Sequence, residues 1–529
     1  MSDNGSERWV GRSVPRVEDA RHLTGRGMFV DDIERPWTLH AAFVRSSYGA
    51  ARITGVSVEE ALEVPGVEAV VTASDLEGYS GLEPRLHRPE FSAVEMPLLN
   101  GEEIRHSGEP VAMVLADTPH AAEDGAEAVA VEYEPREPVV TLDAALAEDA
   151  PAVHEEVEGN VLLDVRDPED AEIEGLFEGA HAVVEATFDT GRVTAVPMEG
   201  RACLAEWDAR EDTLVLHTST QVPFVVRTAL ADVLGLPQQR VRVIAPDVGG
   251  GFGQKCVVSR EELLVSIAAL MHGRPVKWVE DRQENMMAAF QGHEQRYEAS
   301  AAFDEEGRLL ALKADILCDV GAYSCYPFTC GVEPLMAATE MPGVYQMRRY
   351  WSRARAVTTN KAPMAPYRGV SRPQFTFVME RLMQKAARRL GLDAVEIRKR
   401  NLPAPEDFPY ESPTGVVYDA GSYVESLERC AEALGLSGWR ERQEAARSEG
   451  RLIGLGFSCF GERTGYGTRA FALRKMAITP GADNARLRMD PSGNVTLSVG
   501  TCGHGQGHQT TLAQIAADEI GIPPNKIVV

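Results

Sequence analysis

The stretch Asp247-Val-Gly-Gly-Gly-Phe-Gly-Gln-Lys255 sets four glycines around a single aromatic side chain. Without a Cβ, glycine lets backbone N–H groups approach a ligand and tolerates positive φ. Such a loop between a strand and a helix can cradle an anion. The same residues also suit a tight structural turn, and at this level both readings stand. The loop lacks the Gly-Lys-Ser/Thr of a P-loop and does not fit G-x-G-x-x-G. Two more glycine-punctuated segments open helical patterns: Ala365-Pro-Tyr-Arg-Gly-Val-Ser-Arg-Pro-Gln374 and Gly500-Thr-Cys-Gly-His-Gly-Gln-Gly-His-Gln-Thr510. Each sets N–H groups near a helix N-terminus, where the dipole favours anions. Arg368 can add a bidentate phosphate contact. Together the three segments suggest one large phosphate-bearing cofactor held from several sides.

Other chemistry-bearing residues read more plainly. His504 and His508 have the i, i+4 spacing of a metal pair, but the glycines between them break a helix, so hydrogen bonding is expected instead. Gln221 follows a strand at Thr213-Leu-Val-Leu-His217 and reads as a loop residue. Glu199 and the neighbours Glu261 and Glu262 read as solvated carboxylates. No Ser/His/Asp or Cys/His spacing supports nucleophilic catalysis.

The elements that must position these groups follow from periodicity. A β-branched run, Val241-Arg-Val-Ile244, precedes the glycine loop, and a helical pattern from Glu261 to Met271 follows it. Nearer the start, buried strands are expected at Leu39–Val44, Val67–Thr72, Pro110–Ala116 and Ala130–Tyr133, with helices beginning near Val56 and spanning Pro119–Ala128. Residues 134–174 read as linker and loop. Further on, a second unit starts near Ala180–Thr187, and a third opens at Arg451–Ser458 and continues through Asn494–Val499; a strand is expected at Lys526–Val529, and helices at Gln374–Leu390, Ser426–Leu434 and Thr510–Ile520. The expected fold is α+β with five stretches: an arm (1–20), an α/β unit (21–137), a linker (138–175), a second unit (176–404) and a third (405–529).

Bulk numbers narrow the classes. A chain of 529 residues exceeds one core. With 44% hydrophobic and 25% charged residues, it is ordinary for a globular protein. Its net charge of −27 argues against nucleic acid and anionic membrane partners. No apolar run is long enough for a membrane span, and the polar N-terminus lacks a signal core. Eight cysteines without a C-x-x-C pair suggest neither a disulfide framework nor an iron–sulfur or thiolate-zinc site. A reducing cytoplasm is the expected compartment.

Taken in order, the motifs resemble the xanthine dehydrogenase/aldehyde oxidase family, specifically its molybdopterin-binding large subunit, of carbon monoxide dehydrogenase large-subunit type. Arg12-Ser-Val-Pro-Arg16 and Leu23-Thr-Gly-Arg-Gly27 resemble the family's N-terminal signature. Gly108-Glu-Pro-Val-Ala112 and Val131-Glu-Tyr-Glu134 resemble its α/β hammerhead domain. The glycine loop, Arg274-Pro-Val-Lys-Trp278, Asp319-Val-Gly-Ala-Tyr323 and Arg398-Lys-Arg-Asn-Leu402 look like its first cofactor-binding domain. Gly500-Thr501 with Gly505-Gln-Gly-His508 looks like the start of its second, incomplete here.

The resemblance implies molybdopterin carrying molybdenum, in its cytosine dinucleotide form, with the metal held by the pterin rather than by protein ligands. It implies cofactor contacts at Gln221, Gly250, Gly251, Phe252, Gly253, Arg368, Gln506, Gly507 and His508, and a substrate pocket near Cys256, Tyr367 and Gly369. The implied reaction is hydroxylation of an aldehyde or N-heterocycle with water as oxygen source. Electrons would leave through iron–sulfur clusters and FAD on a small and a medium partner subunit, in a hetero-oligomer dimerised through the large subunit. Carbon monoxide dehydrogenases of the family carry a copper-holding Cys where this chain has Gly369, so carbon monoxide oxidation is disfavoured. Purine-oxidising members carry a Glu where it has Cys256. The family's general base, a Glu in a Gly-x-Gly-Glu setting, is expected beyond Val529, so this chain alone is expected to be inactive. A non-catalytic remnant or assembly subunit is the alternative.

Overall fold

The computed structural model describes residues 8–327, 329–463, 465, 467, 468 and 483–529. A seven-stranded sheet carries the site. Its order is Val241–Ile244, Thr213–Thr218, Ala202–Asp208, Val276–Val279, Leu39–Arg45, Pro110–Ala116 and Val67–Thr72. The strands at 39–45, 67–72 and 110–116 belong to the N-terminal unit, yet they continue the sheet of the second unit. Leu39 pairs in parallel register with Val276. The run Pro110–Ala116 is buried at every position, as expected of an apolar strand covered on both faces. A second sheet of five strands runs Val161–Arg166, Arg349–Thr358, Leu309–Gly321, Gln295–Phe303 and Ala182–Thr190.

Three helices frame the site from below and beside it. Helix α1 (Arg260–His272) starts in a capping box between Ser259 and Glu262 and stops at Gly273 in the left-handed region. Its residues 260–269 are all buried, and it packs on the 202–208 strand. Helix α2 (Thr329–Glu340) lies against the 309–321 and 349–358 strands. Helix α3 (Arg372–Leu390) packs on the 182–190 strand and ends at Gly391. A separate small unit closes the chain: strands Ala485–Met489, Val495–Val499 and Ile527–Val528 backed by helix α4 (His508–Ile520).

Several local expectations change. Val56 and Ser57 end a strand (Ala51–Ser57), and the helix begins only at Glu59, because Val56 completes an antiparallel pairing with Val131. The stretch read as linker and loop contains the strand Val161–Arg166, which pairs with 349–358 and completes a sheet edge. Its short apolar run was masked by surrounding acids and prolines.

Candidate functional site

The glycine loop leaves the 241–244 strand and reaches α1 through two turns. Gly250 and Gly253 have φ of 98° and 103°, and Phe252 itself sits at 53°. Positive φ at Phe252 costs backbone strain. Five of the eight non-glycine residues with positive φ among the described residues, Val196, Phe252, His293, Val370 and Ser371, lie on segments that meet here.

Hydrogen bonds fix the loop on its protein side. Gln221 Oε1 accepts from the Gly253 N–H at 2.8 Å, and the Gln221 N–H donates to the Lys255 carbonyl at 2.9 Å. A Cβ on Gly251 would lie 2.4 Å from Gln221 Oε1, so only glycine permits this approach. Glu199 Oε2 accepts from the Gly249 N–H at 2.7 Å and the Ser219 hydroxyl at 2.5 Å. Lys255, with its side chain 1% exposed, donates to Ser219 Oγ at 2.6 Å, the Glu199 carbonyl at 2.9 Å and Glu199 Oε2 at 3.2 Å. Burial pulls the Lys255 ammonium down and Glu199 partly restores it. Gln254 ties the underside to the Phe290 carbonyl and to Asn285.

With these bonds made, the N–H groups of Gly250, Gly251 and Phe252 have no protein acceptor among the described residues. Consecutive free backbone donors in a turn are the kind of group that can bind an anion. The Phe252 side chain is 43% exposed beside them.

The second segment joins directly. The Arg368 N–H donates to the Phe252 carbonyl at 3.0 Å, while its exposed guanidinium has no partner among the described residues. Behind it, His293 contacts the Tyr367 carbonyl at 3.1 Å, and its ring meets the Tyr367 ring edge-on. Buried Glu333 on α2 accepts the His293 N–H and, at 2.8 Å, the Gln295 amide. Burial raises the Glu333 carboxyl to about 7. The segment then turns through Gly369 at φ 98°, Val370 and Ser371 into α3.

The third segment closes the opposite side. His504 Nε2 lies 3.2 Å from Gln221 Nε2, and Gln506 packs its amide on the same ring. Cys502 Sγ lies 3.2 Å from the Gln221 carbonyl. Burial, with Cys502 nearby, pushes the Cys256 thiol up to about 12. It is therefore a neutral packing group, not a nucleophile. The His508 Nδ1 atom is buried without a partner. The α4 amides at Gln509 and Thr510, read as free donors, are taken by the Glu18 carboxylate at 2.8 and 3.3 Å.

Hydrogen bonds thus connect Gln221 with Gly253, Phe252 with Arg368, and Gln221 with His504 and through it Gln506, with Gly250, Gly251, Cys256, Tyr367, Gly369, Gly507 and His508 next to them along the chain. Sequence reasoning misjudged the carboxylates. Glu261 is 3% exposed and accepts from Arg45 at 2.7 Å and Arg201 at 3.0 Å. Burial pushes its carboxyl up, but the two arginines more than reverse this and hold it at about 2. Glu262 is 5% exposed, and burial raises it to about 7. Glu199 is an anchor of the loop, not a solvated acid. The signal lay in complementary charge: Lys255 ends the loop, and an acid precedes Gly200.

Comparisons with known proteins cover most of the chain. Residues 24–137 match the family described as the aldehyde oxidase and xanthine dehydrogenase a/b hammerhead domain. Residues 153–402 and 429–529 match two molybdopterin cofactor-binding domain families. The nicotine 6-hydroxylase large subunit of Paenarthrobacter nicotinovorans is 40% identical over 522 residues, which is 98% of this chain and 63% of that protein. The carbon monoxide dehydrogenase large chain of Hydrogenophaga pseudoflava is 33% identical, over 97% of this chain and 65% of that protein. The crystal structure of quinoline 2-oxidoreductase from Pseudomonas putida 86 superposes with a TM-score of 0.94 at 40% identity, over 99% of this chain and 66% of that one. The chain thus spans about two-thirds of the length of these relatives.

Proposed function

Because the chain belongs to the xanthine dehydrogenase/aldehyde oxidase family as a molybdopterin-binding large subunit, we propose that it holds a molybdopterin cofactor between its three glycine segments. The enzyme built on it oxidatively hydroxylates an electron-poor N-heterocycle or an aldehyde with water. The observation that carries this reading is the trio of unpaired N–H groups at Gly250, Gly251 and Phe252, held rigid from behind by Gln221 and Glu199.

These residues fit the group. It is anionic, and the loop offers backbone donors in place of charged side chains. The 500–508 segment adds backbone N–H groups at Gly503, Gly505 and Gly507, with no atom within 4 Å of a Cβ at Gly503 or Gly505. The buried, unpaired His508 Nδ1 offers a hydrogen-bonding partner on the same side. When bound, molybdenum on the pterin supplies the two-electron chemistry of hydroxylation. The protein's own residues do the rest. Gln221 orients the loop through Gly253 and presents its amide beside His504. Arg368 supplies the cation for a phosphate. Phe252, Cys256 and Tyr367 present apolar and thiol surface to a flat substrate and limit water. Cytosine dinucleotide as the pterin form, a cytoplasmic location, iron–sulfur and FAD partner subunits and dimerisation through this chain complete the proposal. No helix among the described residues is long and apolar enough to cross a membrane.

Between substrates, an N-heteroaromatic is favoured, since the relatives named for nicotine and quinoline both share 40% identity. Carbon monoxide chemistry is disfavoured at Gly369: a Cβ there would lie 2.7 Å from the Pro373 ring, at φ 98°. A non-catalytic remnant is disfavoured by the intact loop network. The test is turnover of quinoline-like and nicotine-like heterocycles in ¹⁸O-labelled water by the complex purified with its partner chains. Label in the product supports the reading. A fully molybdopterin-loaded complex that turns over neither heterocycles nor aldehydes overturns it.

A further inference from the structure

The 483–529 unit has its own small core, formed by Val495, Leu497, Ala513, Ala516, Ala517 and Ile527. Among the described residues, two sets of hydrogen bonds tie it to the remainder. One is the contact of Cys502 and His504 with the Thr220–Gln221 turn. The other is the N-terminal arm, which lies along α4 from end to end.

At the far end of α4, the Trp9 and Val10 N–H groups donate to Asp518 at 2.7 and 3.0 Å. Midway, Gln514 Nε2 donates to the Trp9 carbonyl at 2.8 Å and the Arg12 carbonyl at 3.2 Å. Near its start, the Val17 N–H donates to Thr510 Oγ1 at 2.9 Å. Glu18 then accepts from the Gln509 N–H at 2.8 Å, the Thr510 N–H at 3.3 Å and the Thr510 hydroxyl at 2.6 Å. Helix α4 begins after Gly507 and has no side-chain cap of its own. Glu18, only 6% exposed, is its cap, supplied from 491 positions away. Past Glu18 the arm reaches the root of the glycine loop. Arg21 pairs with Asp247 at 2.5 Å, the Met28 N–H donates to Asp247 Oδ2 at 2.9 Å, and the Asp247 N–H returns a bond to the Met28 carbonyl at 2.9 Å.

We propose that residues 8–28 are a clasp that sets the spacing between the 500–508 segment and the glycine loop, with Glu18 as its positioning residue. Glu18 fills the first-turn donors of α4 with a carboxylate of this chain. The helix can then be held in place before any cofactor enters. A cofactor's contacts with this side therefore fall on the loop amides before α4. Releasing Glu18 frees α4 to move and opens the cleft from that side. The consequence for cofactor retention rests on the function proposed above; the clasp itself does not.

The test uses the full-length chain in its native complex with two readouts: amide hydrogen exchange of α4, and the rate at which pterin leaves the protein. Glu18→Ala is expected to speed exchange at Gln509 and Thr510 about ten-fold and to speed pterin loss in parallel. Glu18→Gln keeps an acceptor oxygen at the same reach and is expected to restore most of both. A merely space-filling role predicts that Ala and Gln differ little. If Glu18→Ala misfolds, Asp518→Asn loosens the other end of the arm and is expected to raise α4 exchange by a smaller factor. Unchanged exchange across 508–520 in Glu18→Ala, or a Gln variant no better than Ala, overturns the clasp. A wild-type complex containing no pterin would sink the proposed function, and the exchange data would still decide the clasp.

Discussion

Replacing Lys255 with Met removes the one cation inside the loop's anchor while keeping the bulk of its stem. The Lys255 ammonium makes three bonds at 2.6–3.2 Å, to Ser219 and twice to Glu199, and its side chain is 1% exposed. Breaking one half of a buried ion pair costs about 3–5 kcal/mol. The Glu199 side chain is 15% exposed and keeps the Gly249 N–H and Ser219 hydroxyl as donors. That places the loss at the lower end, about 3 kcal/mol, or roughly a hundred-fold faster local opening. The assay is hydrogen exchange at the Gly249 and Gly253 amides, the two loop donors held by Glu199 and Gln221. Glu199→Gln alone leaves an acceptor for Gly249 and is expected to cost less. The double variant Glu199→Gln with Lys255→Met is expected to cost less than the sum of the singles by about 1 kcal/mol or more. Additivity within about 0.5 kcal/mol, or an exchange rise below about three-fold for Lys255→Met, would refute the reasoning.

Gly253→Ala would place a Cβ 2.0 Å from the Pro366 carbonyl oxygen at φ 103°; strain and overpacking of about 3 kcal/mol or more should yield chain with little bound pterin, whereas Gly191→Ala, with open space around it, should bind normally. Gln221→Ala removes both the Gly253 acceptor and the amide beside His504, so pterin retention should fall well before overall helix content does, as circular dichroism and pterin content together would show. Glu262→Gln probes a carboxyl that burial raises from 4.5 to about 7. Between those values the folded chain keeps a proton that the unfolded chain has lost, so wild-type stability falls as pH rises through that window, by on the order of 3 kcal/mol in all. Glutamine can accept the Ser259 N–H and donate to Thr218 Oγ1, two of the three groups whose hydrogen bonds Glu262 now accepts, the third being the Ser259 hydroxyl. The variant should match wild type near pH 5 and exceed it above pH 7 in thermal midpoint; parallel curves would mean Glu262 is ionised when folded.

Local order was the more legible part. The expected strands at Val67–Thr72 and Pro110–Ala116 and the helix at Pro119–Ala128 have the bounds observed, because each carries its own period and a turn signal at its end. The glycine loop could be picked out because positive φ and close approach leave glycine as the residue of choice. What could not be read was anything depending on distant partners. Glu261 and Glu262 look like solvated acids until Arg45 and Arg201 fold over the first and Thr218 meets the second. The strand at 161–166 is too short to stand out without the 349–358 strand beside it. Glu18 caps a helix nearly the whole chain length away, and no local pattern encodes that pairing. The family resemblance carried the cofactor assignment because ordered motifs report on such long-range arrangements indirectly.

The central claim is that molybdenum sits among the three glycine segments of this chain. Anomalous scattering at the molybdenum edge, from crystals of the native complex, tests it directly. The expected result is one peak per chain in the cleft bounded by Gln221, Phe252 and the 500–508 segment. A complex with stoichiometric molybdenum whose peak lies elsewhere, with that cleft filled only by water, would contradict it.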